Sequence, residues 1–145
     1  MSTVRDERSL KWLIVFSMWL ISLIATFGSL FLSEVMEFIP CSLCWYQRIF
    51  MYPLILIFLV GVLKLDRGVI TYSFPITLVG WLFAIYHNLL HFGIIPESAT
   101  PCQAGVPCST KYIEWFGFIT IPFLSLVAFS LILILTLTLN KEFNK

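Results

Sequence analysis

Four long stretches of this sequence contain no charged residue, and no other feature constrains the fold as strongly. They cover residues 12–32, 49–63, 68–86 and 115–139, with lengths of 21, 15, 19 and 25 residues. An α-helix rises about 1.5 Å per residue, so about 20 residues cross a hydrocarbon layer of about 30 Å. The second stretch reaches that length if its helix begins at Cys44. The pattern therefore predicts membrane-spanning helices over residues 12–32, 44–63, 68–87 and 115–139.

Composition supports this interpretation and excludes other classes of protein. Hydrophobic residues make up 59% of the 145-residue chain and charged residues 12%, against roughly 25% charged in a soluble domain. A soluble enzyme or a disordered chain is excluded by this balance, and a net charge of +1 excludes a nucleic-acid binder. We expect an all-α integral membrane protein, a single membrane domain over residues 1–145 folded as a four-helix bundle.

Basic residues predict the orientation of the bundle, because Lys and Arg accumulate on the cytoplasmic side of a membrane. Seven of the nine basic residues fall on one side: Arg5, Arg8, Lys11, Lys64, Arg67, Lys141 and Lys145. Only Lys111 falls in an opposite segment, with Arg48 at its boundary. Both termini are therefore predicted to be cytoplasmic, and residues 33–43 and 88–114 form two outward loops.

All four cysteines lie in these outward loops or at their edge. Cys41 and Cys44 form a Cys-x-x-Cys motif, and Cys102 and Cys108 lie in the longer loop. Thiols outside the cytoplasm meet oxidising conditions, so two disulfides are expected. Four cysteines allow three pairings. Local spacing favours Cys41–Cys44 together with Cys102–Cys108.

Three interpretations of the cysteines compete. A redox-active pair ranks first, because Cys-x-x-Cys at a helix N-terminus is typical of thiols with a lowered pKa. Structural cross-linking ranks second, since a bridge between residues three apart constrains little chain entropy. A zinc site built from all four cysteines ranks third, because Cys-x5-Cys is looser than the usual ligand spacing.

Other residues near the outer end could serve a redox site. Arg48 lies four residues after Cys44, hence on the same helix face, where it could favour a thiolate and hydrogen-bond a ligand carbonyl. Alternatively, Arg48 extends to the lipid head groups. His87 and His91 could assist proton transfer or be ordinary interfacial residues. A dithiol, an arginine, a histidine and many aromatics suit an apolar two-electron acceptor such as a quinone.

The segment Pro40–Arg48, which reads Pro-Cys-Ser-Leu-Cys-Trp-Tyr-Gln-Arg, resembles the DsbB family of disulfide-forming membrane oxidoreductases. Within that family it is similar to the short BdbC-like subtype. The resemblance continues through Tyr86-His87, the Cys102/Cys108 pair and the string that runs from Trp115 to Pro122. It covers essentially the whole chain in order, and it implies a multi-pass protein of the bacterial cytoplasmic membrane.

The resemblance implies a route for electrons. A thioredoxin-like extracytoplasmic thiol oxidase of the DsbA/BdbD type attacks Cys102, and the released Cys108 attacks Cys41. Cys44 then faces a quinone, either menaquinone or ubiquinone, and the two redox-active disulfides are Cys41–Cys44 and Cys102–Cys108. This route is that of the DsbA–DsbB–quinone system, which keeps the bacterial periplasm oxidising.

The resemblance also implies binding roles beyond the cysteines. Arg48 and Cys44 would bind the quinone, with His87 as the quinone-side histidine and His91 as a second candidate. No metal and no nucleic acid are expected. The close Cys102–Cys108 spacing departs from longer family members and leaves little room for a loop helix between the two cysteines.

Two alternatives stay open. A vitamin K epoxide reductase-like enzyme also combines a helical bundle, two cysteine pairs and a quinone, but there the loop pair precedes the Cys-x-x-Cys. The second alternative is a disulfide-stapled membrane scaffold without electron transfer.

Overall fold

The computed structural model describes residues 2–96 and 120–144 of the chain. The described residues form four helices, α1 (Ser2–Glu34), α2 (Ser42–Lys64), α3 (Gly68–His91) and α4 (Ile121–Asn144). All four are long and apolar enough to cross a membrane. The length and composition of these helices confirm the prediction of an all-α protein with four membrane-spanning helices. Cys102 and Cys108, with most of the second outward loop, lie outside the described residues.

Helices α1, α2 and α3 extend beyond the uncharged stretches, whereas α4 begins at Ile121, inside the span predicted over residues 115–139, of which residues 115–119 lie outside the described residues. Helix α1 begins at Ser2 and includes the charged segment before Trp12, and α3 continues to His91. Charged and polar residues can continue a helix outside the hydrocarbon layer, so an uncharged stretch marks the membrane-embedded part only. Helix α2 begins at Ser42, two residues before the start that span length alone required. Whether residues 1–145 act as one domain stays a prediction.

The four helices form a closed ring in which each helix packs mainly against two neighbours. Helix α1 contacts α2 and α4, and α3 contacts the same two helices. The core between them contains side chains that are fully buried, among them Val15, Met18, Leu54, Phe58, Phe129 and Ile132. Lipid tails are as apolar as these side chains, so close packing of the helices contributes much of what holds the ring together.

Two glycines allow helices to approach closely. A Cβ atom at Gly80 of α3 would overlap the ring of Phe129 on α4. At Gly61 of α2, a Cβ atom would lie 2.5 Å from Cγ2 of Val69. These contacts explain why small residues are needed at both positions.

The two ends of the bundle differ in chemistry. At one end, Arg67 donates a hydrogen bond to Asn144, and Lys11 lies 4.9 Å from the ring centroid of Phe143. At the other end, the side-chain amide of Asn88 donates to the main-chain oxygen of Pro122 at 2.8 Å and so joins α3 to α4. The Cys-x-x-Cys motif begins α2 at this second end.

Candidate functional site

The Cys-x-x-Cys motif forms the N-terminus of α2. Cys41 is the N-cap residue, and its Sγ accepts a hydrogen bond from the main-chain nitrogen of Cys44 at 3.4 Å. The two sulfur atoms lie 3.0 Å apart, and both residues are free thiols. An N-cap side chain replaces a missing helical acceptor, and the positive end of the helix dipole favours a negative sulfur there. The local sequence therefore builds a site for a thiolate.

Cys41 has a pKa far below that of an ordinary thiol. The hydrogen bond with the Cys44 side chain is the main cause, and together with smaller effects it lowers the pKa of Cys41 from 9.0 to about 4. Burial opposes this shift, whereas the contact with His87 adds to it. Because the thiolate is the nucleophile in thiol exchange, Cys41 is prepared to react.

His87 approaches Cys41 from helix α3. Its Nε2 atom lies 3.7 Å from the Sγ of Cys41, and the side chain is only 1% exposed. Its Nδ1 atom has no hydrogen-bond partner among the described residues. His91 lies one turn further along α3, with its ring edge-on to Phe92. The structure therefore places His87 in contact with the motif.

Arg48 points into the bundle. Its side chain is only 8% exposed, and it donates two hydrogen bonds to Ser29 of α1. Nε contacts the Ser29 hydroxyl and Nη2 contacts the Ser29 main-chain oxygen, both at 2.9 Å. The guanidinium also lies 5.3 Å from the ring centroid of Trp45. This burial argues against the alternative in which Arg48 extends to the lipid head groups.

Cys44 and Arg48 line one cavity of about 450 Å³. Helices α1, α2 and α4 form its walls, and most of the lining is apolar. Ile24 of α1 and Leu124 of α4 line the cavity although both are more than half exposed, so the cavity reaches the lipid-facing surface. Neither Cys41 nor His87 is among the lining residues. The two sulfurs of the motif therefore face different surroundings.

Two residues that line this cavity carry a buried polar atom without a hydrogen-bond partner among the described residues. These atoms are Thr26 Oγ1 and Gln47 Nε2. Buried polar atoms are seldom left unpaired, because an unmade hydrogen bond costs about 1–3 kcal/mol. A mostly apolar cavity with the Arg48 guanidinium in its lining suits an apolar ligand that carries hydrogen-bond acceptors. A quinone has this chemistry.

Comparison with known proteins agrees with this geometry. Residues 10–139 match the family model described as "Disulfide bond formation protein DsbB". The chain belongs to the DsbB family. It is 48% identical over 128 residues to "Disulfide bond formation protein C" of Bacillus subtilis, a match that covers 88% of this chain and 93% of the relative. It is 46% identical over 124 residues to "Probable disulfide formation protein C" of Halalkalibacterium halodurans, covering 86% and 90%. No solved structure matches the chain significantly.

DsbB-family membership confirms the resemblance to this family and implies a thiol oxidoreductase that supports disulfide formation. Four residues singled out from the sequence, Cys41, Cys44, Arg48 and His87, lie around the start of α2. Sequence reasoning missed the contributions of Ser29 and Gln47. Gln47 adjoins Arg48 in the motif, whereas nothing around Ser29 distinguishes it from other serines of α1.

Proposed function

We propose that this DsbB-family chain reoxidises an extracytoplasmic thioredoxin-like thiol oxidase of the DsbA/BdbD type and passes the electrons to a membrane quinone. The observation that carries the proposal is the different placement of the two motif cysteines. Cys44 lines the lipid-accessible cavity beside Arg48, whereas Cys41 lies outside it against His87. One sulfur can thus face an electron acceptor while the other exchanges with a thiol.

The thiol steps need no oxidant besides the two disulfides of this chain and the final electron acceptor. The partner's thiolate attacks Cys102, forming a mixed disulfide and releasing Cys108, and the second thiolate of the partner then resolves that bond. The Cys108 thiolate attacks Cys41, the Cys41–Cys44 bond breaks, and Cys44 leaves as a thiolate. Attack of Cys102 on Cys108 restores the loop disulfide and releases Cys41. The net change moves two electrons and two protons from the partner dithiol to the acceptor.

The residues around the cavity can bind the electron acceptor next to Cys44. A quinone in this cavity would accept two electrons and two protons and leave as quinol. Arg48, held in place by Ser29, can hydrogen-bond a carbonyl oxygen of the ligand. The buried Gln47 amide can donate to a second acceptor once its side chain turns towards the cavity. Cys41 then re-forms its bond to Cys44. A role for His87 on the quinone side stays a prediction. Its contact with Cys41 favours a role at Cys41, the sulfur that exchanges with Cys108.

We further propose that both termini are cytoplasmic and that the Cys41 end of the bundle faces outward. The contacts of Arg67 with Asn144 and of Lys11 with Phe143 support this orientation. They gather the start of α1, the link between α2 and α3, and the end of α4 at one end of the bundle. These are the segments that carry most of the basic residues.

Anaerobic quinone reduction tests the proposal directly. The purified protein is mixed with a reduced thioredoxin-like oxidase and a short-chain ubiquinone or menaquinone analogue, and quinol is measured by absorbance. Quinol should form in equal amount with the oxidised partner and only with all four cysteines present. A scaffold would produce no quinol. Disulfide formation without quinol would contradict the assignment of the acceptor.

A further inference from the structure

Three atoms that commonly bind metals, two sulfurs and one imidazole nitrogen, meet at the start of α2. The sulfur atoms of Cys41 and Cys44 and a ring nitrogen of His87 all lie within 4.8 Å of one another. We propose that the reduced motif and His87 together bind Zn²⁺, and that this binding holds the protein in its reduced, inactive state. The binding itself does not depend on the proposed quinone reaction, although its inhibitory effect does.

The distances are close to those a zinc site needs. Zn–S bonds of about 2.3 Å and Zn–N bonds of about 2.0–2.1 Å, at tetrahedral angles, separate a sulfur and a nitrogen ligand by about 3.6 Å and two sulfurs by about 3.8 Å. Cys41 Sγ and His87 Nε2 are 3.7 Å apart, which fits without rearrangement. The two sulfurs, at 3.0 Å, must separate by less than about 1 Å to reach that spacing. Rotation of the partly exposed Cys44 side chain can supply this change.

The surroundings also favour a captured cation. Cys41 and His87 are buried, so a metal held there is shielded from competing water. Arg48, the charged residue one turn after Cys44, is turned to Ser29 by two hydrogen bonds. Two thiolates would neutralise Zn²⁺ and leave a site without net charge. Such a neutral site suits the edge of a membrane.

Zinc binding and disulfide formation exclude each other. Zn²⁺ binds the thiolates, with release of the two thiol protons, whereas the Cys41–Cys44 disulfide has no thiolate to offer. A metal bound to both sulfurs therefore blocks the oxidation of the two thiolates that would otherwise supply two electrons to the acceptor. The site also differs from the four-cysteine zinc site considered from the sequence, because His87 supplies the third ligand and the loop pair supplies none.

Cobalt titration tests the site without any quinone. The full chain carrying Cys102→Ser and Cys108→Ser is reduced, freed of reductant anaerobically, and titrated with Co²⁺ as the spectroscopic probe. We expect one equivalent to give sulfur-to-cobalt charge-transfer bands and the visible bands of a tetrahedral ion, both removed by Zn²⁺. His87→Gln should weaken binding at least tenfold. His91→Gln, one turn along the same helix, should leave the affinity unchanged.

A second measurement identifies the metal ligands directly and needs no substitution of His87. Zinc X-ray absorption of the same double variant should show two sulfur neighbours and at least one nitrogen neighbour. The proposal is overturned if Co²⁺ produces no thiolate bands, if His87→Gln binds as tightly as its parent, or if binding requires Cys102 and Cys108. Given an active enzyme, Zn²⁺ should stop quinol formation and a chelator should restore it. If quinone reduction is absent while the metal spectra appear, the proposed function fails and the metal site stands.

Discussion

Arg48 of α2 donates two hydrogen bonds to Ser29 of α1, one to its hydroxyl and one to its main-chain oxygen, both at 2.9 Å. This contact joins two walls of the cavity that contains Cys44. It also fixes the plane of a buried guanidinium, so that its remaining N–H groups are available to a ligand. Ser29 therefore positions Arg48 in the wall of the cavity.

Replacing Arg48 should weaken quinone binding. Arg48→Ala removes a hydrogen bond to a charged donor, which contributes about 1.5–3 kcal/mol, so the apparent quinone KM should rise about ten- to a hundred-fold. Arg48→Lys keeps the charge but loses the planar fork and should recover part of the activity. The measurement is quinol formation against quinone concentration. An unchanged KM in Arg48→Ala would remove Arg48 from the quinone site.

Ser29 should act through Arg48. Ser29→Ala leaves the Nε of a buried guanidinium without its hydroxyl acceptor but keeps the main-chain oxygen, so the KM should rise less than in Arg48→Ala. Ser33→Ala is the matched control on α1, because the Ser33 hydroxyl contacts Leu30 and Glu34 and not Arg48. Combining Ser29→Ala with Arg48→Ala should add nothing to the KM. Additive effects would show that Ser29 has a separate role.

Several parts of this arrangement follow from the sequence and others do not. The helices were predictable because an uncharged stretch long enough to cross a membrane can satisfy its backbone hydrogen bonds there as an α-helix. The same-face placement of Cys44 and Arg48 follows from a four-residue spacing. The direction in which Arg48 points does not follow, because its partner Ser29 lies on another helix. The contact between His87 and Cys41 joins residues 46 apart, so it depends on how α3 packs against α2.

Gly80 should be intolerant of any side chain. A Cβ atom at this position would overlap the ring of Phe129, which is fully buried, so Gly80→Ala should cost about 1–3 kcal/mol of stability. Gly28→Ala is the control for stability, since a Cβ atom there meets nothing within 4 Å among the described residues. Thermal unfolding in detergent compares the two. Equal melting temperatures would show that α3 and α4 are not packed through Gly80.

The reactivity of Cys41 should extend to low pH. A thiol is protonated and unreactive below its pKa and reacts as the thiolate above it. With a pKa lowered from 9.0 to about 4 by the hydrogen bond with Cys44, reduced Cys41 should react with iodoacetamide throughout the range between these values. Rates measured against pH by peptide mass spectrometry, in the Cys102→Ser/Cys108→Ser protein, give the midpoint.

Two substitutions of Cys44 test whether its hydrogen bond, and not the location of Cys41 at the helix N-terminus alone, lowers the pKa of Cys41. Cys44→Ser keeps an O–H donor and should preserve a low midpoint, whereas Cys44→Ala should raise the pKa of Cys41 towards 9.0. The stabilised thiolate favours the reduced motif, an advantage that is lost as the pH falls through about 4. An ordinary midpoint in both the parent and Cys44→Ser would contradict this account.

The proposed orientation predicts which surface residues an external reagent reaches. In a cysteine-free background, Glu37→Cys should react in intact cells with a membrane-impermeant thiol reagent, and Lys64→Cys should react only after lysis. Both side chains are exposed, so accessibility within the fold is matched. Labelling of Lys64→Cys from outside would reverse the assignment of the two ends.

The proposed order of thiol exchange predicts which cysteine variant traps the partner protein. In Cys108→Ala the free Cys102 thiolate can attack the disulfide of the oxidised partner, which releases one partner thiolate and leaves a mixed disulfide, and the loop thiol that would displace the partner from Cys102 is missing. Cys108→Ala should therefore carry a thioredoxin-like protein covalently bound to Cys102, visible as a reducible band of higher mass on a non-reducing gel. Cys102→Ala should lack this band, because the sulfur that bonds the partner is gone. A structural bridge would instead lower the amount of both variants equally, and a normal amount of Cys108→Ala without a trapped partner would exclude the roles proposed for this pair.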